Sequence, residues 1–383
     1  MQSPEAYLGD FFMPYTPDSD QKYMAQSLAL AAKARGRTCP NPMVGAVLVN
    51  NGEIVGQGYH QKAGMPHAEI EALNQAGEKA RGATLYVTLE PCNHQGRTPP
   101  CTEAIIKAGI NKVIYATADP NPRVSGEGHK TLTKNGIETI GGVMEQEAVK
   151  MNEVYFSYMK SGLPFVTLKL AVSLDGRISM GQGTTTSLSG DEARRYVHQL
   201  RLGHEAVMVG SNTVVTDDPQ LTVRLVDNPE SKQPTRFITD GKLSLSLDSK
   251  VLTDGKAKTI MVTTSTADQD KKKRIEARGI DVWTIGKDAK GYVDLKALLH
   301  QMGLDEYCSL LVEGGGKLAA SFLKLGLVNK VVMIYTPNII GAQGVAAVGE
   351  LEISELKDAF KLRDMECRML GKDVLVEGYV VNK

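Results

Sequence analysis

Two short stretches decide the reading of this chain: Gly64-Met65-Pro66-His67-Ala68-Glu69, and Thr88-Leu89-Glu90-Pro91-Cys92-Asn93-His94-Gln95-Gly96-Arg97-Thr98-Pro99-Pro100-Cys101. One imidazole followed by two thiols supplies three ligands that suit tetrahedral Zn²⁺ with a fourth position open to water, the mark of a catalytic metal. No fourth ligand follows at CxxC-like spacing, so His67, Cys92 and Cys101 are the candidate metal ligands. Residues two apart do not share a helix face, so His67 and Glu69 can serve one site only if His67 stands at a helix start. Pro66 agrees with that, and Pro99-Pro100 likewise mark a helix opening at Cys101, where unpaired N–H groups favour a thiolate. Glu69 is then the candidate catalytic proton carrier.

Outward from these stretches the pattern is α/β. Residues 1–19 carry Pro4, Pro14 and Pro17 and read as a flexible tail, with order expected from Ser19 or Asp20 in a helix to about Arg35. Met43 to Val49 and Glu53 to Tyr59 read as a hairpin about Asn50-Asn51-Gly52. Strand patterns at Thr84–Leu89, Lys112–Thr117 and Ile137–Ile140 then alternate with helical ones at Cys101–Ala108, Gly128–Asn135 and Met144–Met159. Lys160-Ser161-Gly162-Leu163-Pro164 is the candidate linker, which divides the chain into domains at 20–161 and 162–383.

The second half repeats the alternation with different lengths. Strands are expected at Phe165–Val172, Ala206–Val209, Arg236–Thr239, Thr259–Thr263, Ser309–Val312, Lys330–Tyr335 and Val374–Val380, and helices at Asp191–Leu202 and Leu318–Leu325. The charge run Lys271 to Arg274 reads as a solvated helix face. Glu313-Gly314-Gly315-Gly316 follows an apolar strand and opens a helix, a place suited to a cofactor phosphate, although it lacks the GxGxxG spacing of a Rossmann unit.

Composition excludes other classes. At 383 residues, 42% hydrophobic and 23% charged, the chain is an ordinary globular protein with room for two cores. Lys plus Arg and Asp plus Glu each number 44, so no global positive field exists to hold nucleic acid, and an anionic substrate must be met by local charges. No apolar run spans a bilayer and no secretion signal is present, which gives a cytoplasmic expectation with no membrane partner. Five scattered cysteines argue against a disulfide framework.

The quoted stretches, together with Gly58-Tyr59-His60, resemble the bifunctional riboflavin deaminase-reductase family. The eight residues between Cys92 and Cys101 are the discriminating feature, since related nucleoside deaminases separate the two cysteines by only two. The resemblance implies a cytidine-deaminase-like α/β/α domain followed by a dihydrofolate-reductase-like α/β domain. It places Asn41, His60, His94, Arg97, Asp119 and Asn121 around a phosphorylated pyrimidine. Asn41 and Asn121 each precede a proline and also fit plain turn chemistry.

In the second half the resemblance rests on Leu168-Lys169-Leu170-Ala171, Ser173-Leu174-Asp175-Gly176, Val209-Gly210-Ser211-Asn212-Thr213-Val214, Asp217-Asp218-Pro219, Leu221-Thr222-Val223-Arg224 and Val312-Glu313-Gly314-Gly315-Gly316. It implies NADPH held by Ala171, Ser187, Thr213, Asp217, Gly314, Gly315, Gly316, Lys317 and Leu318, and a substrate held by Thr185, Arg201, Leu221, Arg224 and Glu313. Lys169 and Glu313 are implied as the polar groups at the reacting ribosyl carbon.

The implied chemistry is zinc-dependent hydrolytic deamination of 2,5-diamino-6-(5-phosphoribosylamino)pyrimidin-4(3H)-one, then NADPH-dependent reduction of its ribosyl chain to give 5-amino-6-(5-phosphoribitylamino)uracil, in an enzyme that is commonly a homo-oligomer. One departure stands out: Ser187 occupies a place where the family commonly has an aromatic residue. It keeps open an alternative, a single-function zinc deaminase whose C-terminal half only binds or oligomerises. A deaminase of nucleic acid bases is a further reading, against which the neutral charge speaks.

Overall fold

The computed structural model describes residues 18–95, 99–121 and 125–381. The chain divides into two compact units, one ending at Gly162 and the other beginning at Leu163.

The first unit runs α1 (Asp18–Ala32), β1 (Gly45–Asn50), β2 (Glu53–Tyr59), α2 (Ala68–Ala76), β3 (Thr84–Val87), α3 (Cys101–Ala108), β4 (Lys112–Tyr115), α4 (Glu127–Lys134), β5 (Glu138–Gly141), α5 (Glu145–Met151) and α6 (Glu153–Ser161). Its sheet has the order β2-β1-β3-β4-β5; β1 is antiparallel to both neighbours, and β3, β4 and β5 are parallel. Alternation along β1 sorts the core. Ala46 and Leu48 join Leu85, Val87, Ala68, Ala72 and Ile105 on one face, whereas Val47 and Val49 join Tyr86, Ile114, Met24, Leu28 and Ala148 on the other. Helices thus cover both faces, the three-layer arrangement that parallel strands require.

The helix expected from Met144 to Met159 is two helices. Asn152 interrupts it: its Oδ1 accepts the Met43 N–H at 2.8 Å, and its Nδ2 donates to the Met43 carbonyl at 2.9 Å. That buried amide ties the end of the chain segment to the loop before β1, at the expense of helix continuity. The first helix ends at Ala32, with turns continuing to Arg37.

The second unit contains β6 (Phe165–Ser173), β7 (Arg177–Ser179), α7 (Asp191–Gly203), β8 (Ala206–Gly210), α8 (Ser211–Asp217), β9 (Thr235–Thr239), α9 (Lys250–Thr253), β10 (Thr259–Thr263), α10 (Gln269–Glu276), β11 (Asp281–Thr284), α11 (Leu295–Leu304), β12 (Ser309–Glu313), α12 (Gly316–Lys324), β13 (Lys330–Thr336), β14 (Val345–Ala346), β15 (Leu362–Leu370) and β16 (Asp373–Val380). The large sheet has the order β11-β10-β9-β8-β12-β6-β13-β16-β15, parallel from β11 to β13 and antiparallel beyond; β7 and β14 form a separate ribbon. Strands β6, β8 and β12 are apolar almost throughout, as expected of strands buried on both faces.

Several elements depart from the expected pattern. Ser211–Asp217 is helical although Thr213-Val214-Val215-Thr216 is a β-branched run that favours a strand. Edge strand β15 carries Arg363, Asp364, Glu366 and Arg368 and is exposed on both sides, so it offers no period-2 signal. The charge run 271–274 lies on α10, as expected.

Candidate active sites

In the first unit two helix starts converge on one point. His67 is the N-cap of α2, with extended backbone, and Cys101 is the first residue of α3 behind the N-cap Pro100. His67 Nδ1 lies 3.2 Å from Cys101 Sγ and 3.6 Å from Cys92 Sγ, and the Cys101 N–H points at Cys92 Sγ at 3.4 Å. Tetrahedral zinc with ordinary Zn–N and Zn–S bonds places such atoms about 3.6 Å apart, so the donor set fits that ion in both chemistry and spacing. The Cys101 thiol and the His67 ring bring the Cys92 pKa down to about 4, with the Cys101 N–H assisting, which makes Cys92 the ready thiolate.

Glu69 sits in the first turn of α2 and is 4% exposed, against Cys101. Burial, aided by the Cys92 charge, pushes its carboxyl upward from the ordinary range, which favours a group that takes and returns a proton. Close packing sets its place: a Cβ on Gly58 of β2 would stand 2.4 Å from Glu71 Cβ and 2.8 Å from the Ala68 carbonyl, so α2 lies directly on the strand.

Around this centre, His60 is buried just after β2 and its Nδ1 is 3.1 Å from the Pro66 carbonyl. A carbonyl only accepts, so Nδ1 carries the proton and the neutral Nε2 receives Asn41 Nδ2 at 3.1 Å. Asn41 is therefore more than a turn residue: its amide is oriented by a histidine oriented by the residue beside the metal ligand. Asp119 is buried and accepts from the Asn121 N–H at 2.9 Å and from the Tyr155 hydroxyl at 3.0 Å. His94 is exposed. Arg97 lies outside the described residues.

Two supporting residues escaped the sequence reading. Tyr155 on α6 holds Asp119, and Glu90 accepts the N–H groups of Gly126 and His129 at 2.9 and 3.1 Å, pinning the start of α4 to the strand end that leads to Cys92. A helix N-terminus is a natural seat for a carboxylate, but it lies 36 residues from Glu90 and left no local trace.

In the second unit the charged residues gather where the middle of β6 lies beside the carboxyl end of β12. Lys169 Nζ is 3.4 Å from Glu313 Oε2; Arg201 Nε is 2.5 Å from Oε1 and its Nη2 is 3.0 Å from Oε2. Burial alone would raise the Glu313 pKa, yet the charges of Arg201 and Lys169 bring it to about 2. Lys169 itself is lowered by burial, against the pull of Glu313. Arg201, expected at the substrate, has a side chain only 11% exposed, held against Glu313. Arg224 is exposed, its Nη1 2.6 Å from Thr222 Oγ1, and Leu221 beside it is buried at φ +54°.

The residues expected to hold the cofactor fall into two groups. Gly315 caps α12 with no side-chain partner for the first N–H groups, and a Cβ added to Gly315 would come 3.9 Å from Thr213 Oγ1, so α8 faces the glycine turn. A Cβ on Gly316 would stand 2.6 Å from the Ala346 carbonyl, which forbids any side chain at this close turn. Gly314 packs on Leu318, Lys317 is exposed, and Asp217 ends α8. Free N–H groups on a helix start beside a hydroxyl form a cradle fitted to a dinucleotide phosphate. Ala171 lies on β6, two residues beyond Lys169. Thr185 and Ser187 are exposed in the segment before α7, with Thr185 Oγ1 donating to the Thr216 carbonyl at 2.8 Å.

Comparison with known proteins agrees with both halves. Residues 17–117 match the cytidine and deoxycytidylate deaminase zinc-binding region, and residues 164–376 match the RibD C-terminal domain. Riboflavin biosynthesis protein RibD of Aquifex aeolicus is 46% identical over 357 residues, covering 93% of this chain and 97% of that protein; its counterpart in Escherichia coli is 39% identical over 93% and 98%. Acinetobacter baumannii RibD superposes with a TM-score of 0.86 at 36% identity, over 95% of this chain and 99% of that one. A Thermotoga maritima diaminohydroxyphosphoribosylaminopyrimidine deaminase/5-amino-6-(5-phosphoribosylamino)uracil reductase gives 0.81 at 35% identity, over the same shares.

Proposed function

The chain belongs to the RibD family and is a bifunctional enzyme of riboflavin biosynthesis, a zinc-dependent deaminase joined to an NADPH-dependent reductase; from that premise we propose the substrates and the role of each residue. The deaminase acts on 2,5-diamino-6-(5-phosphoribosylamino)pyrimidin-4(3H)-one, and the reductase turns the deaminated product's ribosyl chain into a ribityl chain. The Thermotoga maritima relative carries both activities in its name, which supports this pair of substrates. The reading of the chain as a deaminase with a silent second half rests on Ser187 alone, against a match to the RibD C-terminal domain over residues 164–376 and to near-full-length relatives.

His67, Cys92 and Cys101 hold the zinc, which when bound supplies Lewis-acid activation of water near neutral pH. Glu69 takes one proton from the attacking water and gives it to the ring nitrogen, then takes the second from the hydroxyl now on the ring carbon and gives it to the amine, so that the C–N bond breaks, the carbonyl forms and ammonia leaves as a neutral molecule. Its burial against Cys101 keeps bulk water from competing for that proton. Asn41, set by His60, presents its free carbonyl oxygen to the pyrimidine, while Asp119, set by Tyr155, presents an acceptor. His94, Arg97 and Asn121 complete the substrate's surroundings.

In the reductase, the start of α12 with Thr213 and Asp217 holds NADPH, which supplies the hydride, and the protein's part is orientation and charge. Lys169 lies at the reacting ribosyl carbon and donates a proton toward the ring oxygen as the sugar opens. Glu313 keeps Lys169 in place and balances its charge. Arg224 takes the substrate phosphate, with Arg201 beside it; both guanidiniums lie about Thr222.

The observation that carries the deaminase reading is the convergence of three ligand atoms on buried Glu69. Zinc-replete protein given the diaminopyrimidine ribosyl phosphate is expected to release ammonia and to consume NADPH in the same cuvette. Ammonia without NADPH loss would remove the reductase assignment, and neither signal would remove both.

A further inference from the structure

The loop Leu221–Arg224 is clipped at three successive residues. Arg201 Nη1 donates to the Thr222 carbonyl at 3.1 Å, Gln233 brackets Val223 through both its N–H and its carbonyl at 2.7 and 3.2 Å, and the Arg224 N–H donates to His198 Nδ1 at 3.0 Å. His198 and Arg201 stand three residues apart on α7 and so share a face. His198 is 4% exposed, while the arginine whose backbone it holds is exposed.

We propose that His198 is a positioning residue of the reductase, anchoring the backbone of Arg224 so that its guanidinium meets the substrate phosphate from a fixed base. The inference rests on the reading of Arg224 as the phosphate ligand.

An imidazole performs this task only when neutral, with the proton on Nε2 and Nδ1 free to accept. Arg201 of α7, Arg224 of the loop and Glu313 of β12 are the charged groups that face it. Burial first, then the two guanidiniums, lower its pKa to about 4, so the ring remains an acceptor throughout the neutral range. The other two clips stay in place without it, and the loop would keep its course while the base of Arg224 loosened. An apolar residue would fill the same space, so packing does not explain a histidine here.

The test uses full-length, zinc-loaded enzyme saturated with NADPH, and the reductase substrate with and without its phosphate. His198→Leu is expected to raise KM for the phosphorylated form about tenfold, the scale of one lost hydrogen bond that leaves a donor unpaired. Its kcat should stay within about twofold, and KM for the dephosphorylated form should not move. His198→Asn, whose oxygen falls at the Nδ1 position, should recover most of the loss; should the leucine variant not fold, His198→Gln repeats the test, since its acceptor falls elsewhere. An equal rise for both substrate forms, an unchanged KM, or an asparagine variant no better than leucine or glutamine would each overturn the proposal. Arg224→Ala is run beside them. If it keeps the preference for phosphate, the phosphate reading falls and the proposal with it; if it loses that preference while His198→Leu keeps it, only the role of His198 falls.

Discussion

Glu313 and Arg201 meet edge to edge, carboxylate against guanidinium, through two hydrogen bonds of 2.5 and 3.0 Å in a site where both side chains are about nine-tenths buried. Lys169 approaches the same carboxylate from the neighbouring strand. The three charges form a unit in which one anion answers two cations.

Glu313→Gln removes the anion and leaves two buried cations with a neutral amide. Breaking a buried pair in this way costs on the order of 3–5 kcal/mol, and urea unfolding should register a loss of that scale. NADPH oxidation with the deaminated substrate should fall by about a hundredfold or more, while ammonia release by the other unit remains unchanged. Retention of full reductase activity would remove Glu313 from the site.

Glu69→Gln keeps size and polarity but cannot carry the proton. Ammonia release is expected to drop by roughly 10²–10⁴-fold. Zinc content, measured by metal analysis, should be that of the wild type, since no ligand is touched. A variant that deaminates at the original rate would end the assignment of Glu69.

Removal of zinc with a chelator separates the two chemistries. Ammonia release should vanish and return on adding Zn²⁺, whereas NADPH oxidation with the deaminated substrate should persist. Loss of both activities together would mean that the reductase also depends on the metal.

His204 gives a pH signature of stability. Its ring is buried, donating from Nδ1 to the Leu200 carbonyl at 2.6 Å and accepting at Nε2 from Thr167 at 3.0 Å. Burial lowers its pKa to about 4 from an ordinary 6.5. Between those values the unfolded chain binds a proton that the folded chain does not, so the stability it contributes is present above 6.5 and lost as pH falls toward 4, at up to about 1.4 kcal/mol per pH unit. Thermal unfolding of the wild type should therefore weaken between pH 6.5 and 4 more steeply than that of His204→Gln. Parallel curves would refute the assignment.

The metal half of the first site was legible because ligand identity is written in residue type, and the helix starts are announced by Pro66 and by Pro99-Pro100. Partnerships across long sequence distances were not. Along α7, Arg194, Arg195 and Arg201 are indistinguishable by period or neighbours; the side chains of the first two are half exposed and that of the third is 11% exposed, because only the third faces Glu313, 112 residues away. Tyr155 could not be assigned to Asp119, nor Glu90 to the start of α4, for the same reason. Local pattern also failed where tertiary contacts override propensity, as in the β-branched helix α8 and the break at Asn152.

Lys169 and Glu313 are register partners on adjacent parallel strands, β6 and β12. Their separation is therefore a spacing of the ladder and owes nothing to any loop. Adding or deleting a single residue inside either strand would turn one of the two side chains to the opposite face. Change in this site is accordingly open through the exposed segment around Thr185, which belongs to no strand, while Lys169 and Glu313 are inherited as an indivisible pair.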